Sequence, residues 1–328
     1  MNKKANIKQH YVPQCYLRNF SPNGKYVHIY DKKEHKPFSN SLDSVAYFDY
    51  FYEIPKKYLS EKFNIPYGTK YFEKAFFAEH IEKIYAQLLE KIILKAESWI
   101  KTQEKSEILT TQEKEELAQL VAIQHLRMPN IKNDTSDTYE KSMLESFDII
   151  KSGIINMNPE LNIKAKEATL EYDKKYDIVL HSKLYANEKL VSDIATQILD
   201  KHWIFYISNS IDFYTSDNPI IIKPHIPNEP NYYDGFGMKG VEIIFPISKS
   251  ILMTMWDSNH FPEKQKKENT FKFINPKEIR AYNCYQYIWA NRQVYSHTND
   301  FKIVSALKMQ NGGKEIIMNR PKTLVNGK

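Results

Sequence analysis

The pattern of apolar residues changes near residue 200, and this change constrains the fold more than any other feature of the sequence. Between residues 71 and 100, apolar side chains recur at steps of three and four, with Glu and Lys on the opposite face, which predicts a long amphipathic helix. Shorter helices are predicted over 110–128, 136–150 and 189–199. After residue 201, short apolar runs separated by turn residues predict strands. We therefore expect an α+β fold, in which a helical N-terminal half packs on a mainly antiparallel sheet from the C-terminal half.

Local signals predict where several elements begin and end. Thr110 and Glu113 form a capping box at the start of a helix. This helix should end near Met128, because Pro129 disfavours the helical conformation of the residue before it. Asn275 and Pro276 are favoured at the first positions of a helix. Because no linker rich in Pro, Ser or Gly interrupts the chain, we predict a single domain over residues 1–328, helix-rich from 68 to 200 and strand-rich from 201 to 300.

The composition excludes several classes of protein. Hydrophobic residues make up 42% and charged residues 26% of the chain, as in ordinary globular proteins, and the net charge of +6 is too small for a dedicated DNA-binding domain. No phosphate-binding P-loop motif occurs, and the glycines between residues 235 and 240 precede a predicted strand, which indicates a loop and not a dinucleotide site. Cys15 and Cys284 are expected to be free thiols. Without a long apolar run, we expect a cytoplasmic protein that does not contact membranes.

The opening segment contains the first candidate site. His10, Gln14 and Arg18 recur at steps of four, which puts them on one face of either a strand or a helix. Imidazole is an acid or base near neutral pH, and a guanidinium group binds phosphate or carboxylate with two hydrogen bonds. The alternative is that His10 and Gln14 only fix the N-terminal segment through hydrogen bonds to the backbone.

Two further segments place polar side chains where apolar or turn residues are expected. Gln124 continues the apolar stripe of the capped helix, and Arg127 lies three residues further on. Asp217 and Asn218 lie between two predicted strands, so that Asp217 could face a pocket as a partner of His10 or as a metal ligand. The structural alternatives are a core hydrogen bond for Gln124, a helix-dipole contact for Arg127 and an Asx-turn at Asp217.

The motifs resemble those of a known family. The opening resembles the sequence His-Tyr-Val-Pro-Gln-x-Tyr-Leu-Arg-x-Phe of a bacterial family defined only as a domain of unknown function, and residues 215–219 match its Thr-Ser-Asp-Asn-Pro motif. The family pattern Gln-x-x-Arg-x-Pro matches residues 124–129. The resemblance also implies roles for an Asn on the last helix and an Arg before the final strand, positions filled by Asn283 and Arg292. It implies no reaction.

Together these residues suit an anionic substrate. We expect a nuclease-like or nucleotide-processing phosphodiesterase, acting in bacterial defence or stress, with His10, Asp217 and Arg127 as catalytic residues. The expected substrate-binding residues are Gln14, Arg18, Gln124, Asn218, Asn283 and Arg292. The metal requirement is left open, with Mg²⁺ or Mn²⁺ as the divalent ions that such chemistry uses.

A non-catalytic function fits the same residues. The 23 Tyr and 17 Phe residues suit a recognition surface, so the chain could instead be a sensor or effector that binds a ligand, a nucleic acid or a protein partner. No pair of His and Cys clusters has the spacing of a standard zinc site. The sequence leaves the substrate and the oligomeric state open.

Overall fold

The computed structural model describes residues 7–59, 68–157, 159–226 and 235–316. Helices make up 53% and strands 18% of the chain, which confirms the mixed α+β class. The described α-helices are α1 (Gln14–Leu17), α2 (Glu82–Thr102), α3 (Thr111–Leu126), α4 (Pro129–Met157), α5 (Asn162–Glu167), α6 (Asp177–Tyr185), α7 (Glu188–Leu199), α8 (Pro276–Trp289) and α9 (Lys302–Gln310). A π-helix, Phe72–Ile81, runs directly into α2.

The strands form two main sheets and one isolated pair. They are β1 (Lys8–His10), β2 (Tyr26–Asp31), β3 (Lys36–Ser41), β4 (Tyr47–Asp49), β5 (Lys201–Ile207), β6 (Thr215–Ser216), β7 (Ile221–Pro224), β8 (Val241–Ser248), β9 (Ile251–Asp257), β10 (Thr270–Phe273) and β11 (Gln293–Ser296). The five-stranded sheet has the order β10-β5-β9-β8-β7, the four-stranded sheet has the order β3-β2-β11-β6, and β1 pairs with β4. Among the described pairs, only β5 and β10 run parallel.

The expected separation of helices and strands into two halves of the chain is wrong. Strands lie at both ends, because β2 of the N-terminal region pairs antiparallel with β11 near the C-terminus. In this register Ile29 lies opposite Tyr295, and β11 also pairs with β6. The sheet therefore brings the opening segment close to the Thr-Ser-Asp-Asn-Pro motif.

Local sequence signals account for the helix boundaries. The Thr110 side chain accepts a hydrogen bond from the Glu113 amide, and the Glu113 carboxylate accepts one from the Thr110 amide, so the predicted capping box is confirmed. Asn275 caps α8 and Pro276 is its first residue, also as predicted. Pro129 begins α4 instead of only ending the preceding helix, since a first helical residue needs no N–H donor.

The main core lies between the helices and the five-stranded sheet. Buried side chains of α2, α3 and α7 pack against β5, β8 and β9 in one continuous apolar cluster. Trp203 on β5 is fully buried, and its indole N–H donates to the Ile198 carbonyl at 3.0 Å, which ties the sheet to the end of α7. A second cluster fills the other face of the sheet beneath α8.

Two expectations from the composition concern the cysteines and the membrane. Cys15 and Cys284 are both free, as predicted. Across the described ranges, no helix is both long and apolar enough to cross a membrane.

Candidate functional site

A pocket of about 410 Å³ lies where the family motifs meet, and we call it the motif pocket. Its walls come from the residue after β1, the segment that leads into β4, the start of α4, the residue after β6, and the turn before β11. The lining residues are Tyr11, Ser44, Val45, Ala46, Tyr47, Phe48, Pro129, Asn130, Asn133, Asp217, Asn291, Arg292 and Gln293. Five segments that are distant in sequence therefore converge on one cavity.

Asp217 fixes one wall of the motif pocket. Its Oδ1 atom accepts a hydrogen bond from the Asn291 amide at 2.8 Å, and its Oδ2 atom accepts from the amides of Arg292 and Gln293 at 2.8 and 3.0 Å. Burial raises the pKa of the Asp217 carboxyl to about 6, whereas the three amide donors and the Lys32 ammonium oppose that rise. The expected contact with His10 is not made, because both carboxylate oxygens bind the backbone of this turn.

The other residues of the motif also bind backbone and neighbouring side chains. The Asn218 amide group donates to the Trp289 carbonyl at 3.1 Å, which joins the motif to the end of α8. Asn283 on α8 donates to the Asp212 carbonyl at 2.9 Å and accepts from the Tyr214 amide at 2.8 Å. Both residues were expected to bind substrate, but neither lines the motif pocket.

Gln124 and Arg127 bind the backbone of the opening segment. The Gln124 Nε2 and the Arg127 Nε atoms each donate to the Tyr11 carbonyl at 2.9 Å. The Arg127 side chain is only 1% exposed, stacks on Phe77 at 4.7 Å and lies 3.4 Å from a Glu82 carboxylate oxygen. Arg127 therefore positions Tyr11, a wall residue of the motif pocket, and does not itself line that cavity.

His10 lies beside the motif pocket and not in its lining. A His10 ring nitrogen is 3.3 Å from the Gln14 Nε2 atom, so two of the three opening residues meet as expected. The ring also packs against Tyr47 at 5.8 Å, and Tyr47 does line the cavity. Burial lowers the pKa of His10, which makes its neutral form dominant at pH 7. Arg18, the third expected residue, is exposed at the end of α1.

Arg292 presents the guanidinium group of the cavity. Its side chain is 48% exposed, and its Nε atom lies 2.8 and 3.0 Å from the two oxygens of buried Asp31. A terminal nitrogen lies 3.8 Å from Glu34. This double carboxylate contact fixes the guanidinium plane and leaves terminal N–H groups free to reach a ligand.

Several pocket residues were missed by the sequence analysis. Phe48 is 51% exposed and its ring stacks on Tyr11 at 5.5 Å, while Asn133 and Asn291 are exposed lining residues. Ala46 has φ +50°, a left-handed conformation that costs energy for any residue with a Cβ atom. The run of aromatic residues from 47 to 52 was the available signal, but no local rule distinguishes an exposed ring from a core ring.

A second polar cluster surrounds Arg127. Glu73 lies on the π-helix, a rare conformation that is frequent at functional sites. Burial and the nearby charge of Glu82 raise the pKa of Glu73 to about 7, while Arg127 opposes the rise. The cluster thus combines a carboxyl whose pKa is raised towards neutral pH with an arginine that also binds the Tyr11 carbonyl.

The side chains that could bind a metal are dispersed. Within the described parts of the chain, no three His, Cys, Asp or Glu side chains are grouped so that they could hold a metal ion. Both Asp217 oxygens, the atoms expected to bind a metal, accept hydrogen bonds from backbone amides instead.

Comparison with known proteins assigns a family. A model described as "Protein of unknown function (DUF4238)" matches residues 8–300. The chain belongs to this family. The DUF4238 match begins at β1 and includes every residue that lines the motif pocket, so the cavity lies wholly within the family region. No curated protein and no solved structure matches the chain.

The role of Asp217 as a structural anchor can be tested by substitution. Asp217→Asn replaces one acceptor oxygen by an NH₂ group that cannot accept from the backbone, which leaves buried amides unpaired. We expect the free energy of unfolding to fall by about 2–4 kcal/mol, measured by urea denaturation followed by circular dichroism. Asp193→Asn is the control, because Asp193 is exposed and forms only an ion pair with Lys189. An equal fall in the free energy of unfolding of both variants would contradict the role of Asp217 as an anchor.

Proposed function

We propose that this DUF4238 chain binds a nucleotide or the end of a nucleic-acid strand in the motif pocket. The observation that carries the proposal is the set of groups on its walls: an exposed aromatic ring, several carboxamides and one guanidinium group face the same cavity. A base, a sugar and a phosphate require these three kinds of contact.

The size and the rim of the cavity suit such a ligand. A volume of about 410 Å³ falls within the range of small-molecule pockets, roughly 300–1,000 Å³. Phe48 is already stacked on Tyr11 and is still 51% exposed, which leaves ring surface for a base. Base–aromatic stacking tolerates any base and stabilises binding by about 1–3 kcal/mol per base.

The polar walls favour a base edge and a single phosphate. Carboxamides present a donor and an acceptor side by side, the geometry that reads a base edge with two hydrogen bonds, and the cavity has them at Asn133 and Asn291. Arg292 supplies donors for phosphate, but Asp31 and Glu34 partly neutralise its charge. The site therefore suits a monophosphate or a phosphodiester better than a triphosphate.

Binding can be measured by titration calorimetry with the four ribonucleoside and four deoxyribonucleoside monophosphates and with short single-stranded oligonucleotides. Phe48→Ala should weaken binding by about tenfold or more, because it removes the stacking surface. Asn133→Ala should weaken it by a smaller factor and change the preference among bases. Phe273→Ala is the matched control, since Phe273 is 38% exposed on β10 and does not line the motif pocket.

Two results would contradict the proposal. One is an absence of binding to every ligand in the set by the folded wild-type protein. The other is equal weakening by Phe48→Ala and Phe273→Ala, which would place the ligand outside the motif pocket.

Phosphodiester cleavage, the reaction predicted from the sequence, is a second candidate, because two groups that could act as base and acid, His10 and Glu73, both lie near enough to Arg127 for its charge to lower their pKa values. His10 offers a neutral imidazole, and Glu73 offers a carboxyl with a pKa of about 7. A base and an acid with separated pKa values are the pair that general acid–base hydrolysis requires. Such a reaction would fit a role in bacterial defence or stress.

This candidate predicts a specific pH profile. If His10 is the base, the loss of cleavage of RNA, single-stranded DNA or double-stranded DNA on acidification should occur at lower pH than for an unperturbed histidine, because burial lowers the pKa of His10. The rate should fall above pH 7 as Glu73 loses its proton. His10→Ala and Glu73→Gln should each lower the rate by about a hundredfold or more, with Mg²⁺, Mn²⁺ and EDTA tested in parallel.

Full cleavage by a folded His10→Ala protein would rule out His10 as the base. Binding in the motif pocket without any cleavage by the wild-type protein would leave the binding function as the whole activity of this site.

A further inference from the structure

A second group of reactive side chains lies on the five-stranded sheet, and none of its members lines the motif pocket. Lys223 on β7 lies directly opposite Glu242 on β8, and Glu242 lies opposite Trp256 on β9. Residues opposite each other in antiparallel strands project to the same face, so these three side chains form one row across the sheet. His225, two residues beyond Lys223, continues the same face.

The hydrogen bonds of Glu242 determine which ring nitrogen of His225 carries the proton. The buried Glu242 carboxylate is 2.8 Å from the His225 Nε2 atom, and its other oxygen accepts from the Tyr282 hydroxyl at 2.7 Å. The carboxylate therefore selects the tautomer in which Nε2 carries the proton, and the other ring nitrogen, Nδ1, has a free lone pair. Because Nε2 donates to Glu242, the Lys223 Nζ atom can donate only to Nδ1, at 3.4 Å, and its distance of 3.0 Å to Nε2 is a contact between two donors and not a hydrogen bond.

We propose that Lys223 is a nucleophilic amine that forms an imine with an aromatic aldehyde bearing an anionic group. His225 is the base that takes the proton from this amine, and Glu242 positions His225. A nucleophile within hydrogen-bond reach of a base, which a third group orients in turn, is the arrangement that activates side-chain nucleophiles in general.

The surroundings of Lys223 support this chemistry. Its side chain is only 16% exposed, and burial lowers the pKa of its ammonium group, which increases the fraction of neutral amine, while Glu242 opposes the shift. The imidazole of His225 is 25% exposed, so the pair remains accessible from solvent.

The neighbouring side chains indicate the class of aldehyde. Lys223 packs over the Tyr285 ring at 4.8 Å, and the His225 ring packs against Trp256 and Phe261 at 5.1 and 5.3 Å. Trp256 is only 7% exposed, so a planar ligand would stack on the half-buried rings of Tyr285 and Phe261. Lys264, whose Nζ atom lies 3.8 Å from the Trp256 ring, adds a positive charge for an anionic substituent.

The reaction balances without a further reactant. The Lys223 ammonium gives a proton to His225 Nδ1, and the resulting lone pair attacks the aldehyde carbon. As the C–N bond forms, the carbonyl π electrons move to oxygen, which takes the proton from His225. The carbinolamine then loses water, so one amine and one aldehyde give one imine and one water molecule.

Labelling with pyridoxal 5′-phosphate tests the proposal. The full-length protein is exposed briefly to this aldehyde, the imine is trapped with borohydride, and the modified lysines are quantified by peptide mass spectrometry. Lys249 is an internal control, because its Nζ atom lies 3.0 Å from His297 Nε2 but no carboxylate orients that ring among the described ion pairs. We expect Lys223 to react about a hundredfold faster than Lys249, the smaller end of general-base effects.

Variants separate activation from a structural role. His225→Asn and Glu242→Gln should slow labelling of Lys223 severalfold and leave Lys249 unchanged, whereas partial unfolding would increase labelling of both. His225 is near the surface, so its variant keeps the test informative if Glu242→Gln does not fold. Equal rates at Lys223 and Lys249 in the wild type, or an unchanged Lys223 rate in the folded His225→Asn protein, would overturn the proposal.

Discussion

One buried carboxylate holds together the site on which this account depends. Asp217 binds three consecutive backbone amides at the turn before β11, and it donates its own amide to the Gln293 carbonyl at 2.9 Å. A charged group without water must find such donors or the fold becomes unstable. Because the turn also carries Asn291 and Arg292, the same hydrogen bonds that neutralise the cost of burial also fix the polar wall of the motif pocket.

The family motifs thus act mainly through the backbone. Gln124 and Arg127 bind the Tyr11 carbonyl, Asn283 binds the chain on both sides of Phe213, and Asn218 binds the end of α8. Other residues that line the cavity, such as Phe48 and Asn133, lie outside the family motifs. In this chain the motifs therefore build the scaffold, and the proposed ligand contacts come from residues next to them.

The sequence predicts local features well and long-range features poorly. The capping box at Thr110 and the start of α8 at Asn275 depend on residues three or fewer positions apart, and both are confirmed. The pairing of β2 with β11 depends on segments far apart in the chain, and the π-helix before α2 has the same apolar spacing as an α-helix. Likewise, the sequence located Asp217 and Arg127 as unusual polar residues but could not reveal that their partners are backbone atoms.

Hydrogen–deuterium exchange of the wild type and of Asp217→Asn tests the central claim most directly. If Asp217 anchors the pocket wall, the amides of residues 291–293 should lose protection in the variant, and the adjoining β6–β11 pairing should weaken with them. The amides of β8 and β9 should exchange as in the wild type, since Asp217 makes no hydrogen bond to either strand in the described structure. Unchanged protection at residues 291–293 would contradict the account, as would an equal loss of protection throughout both sheets.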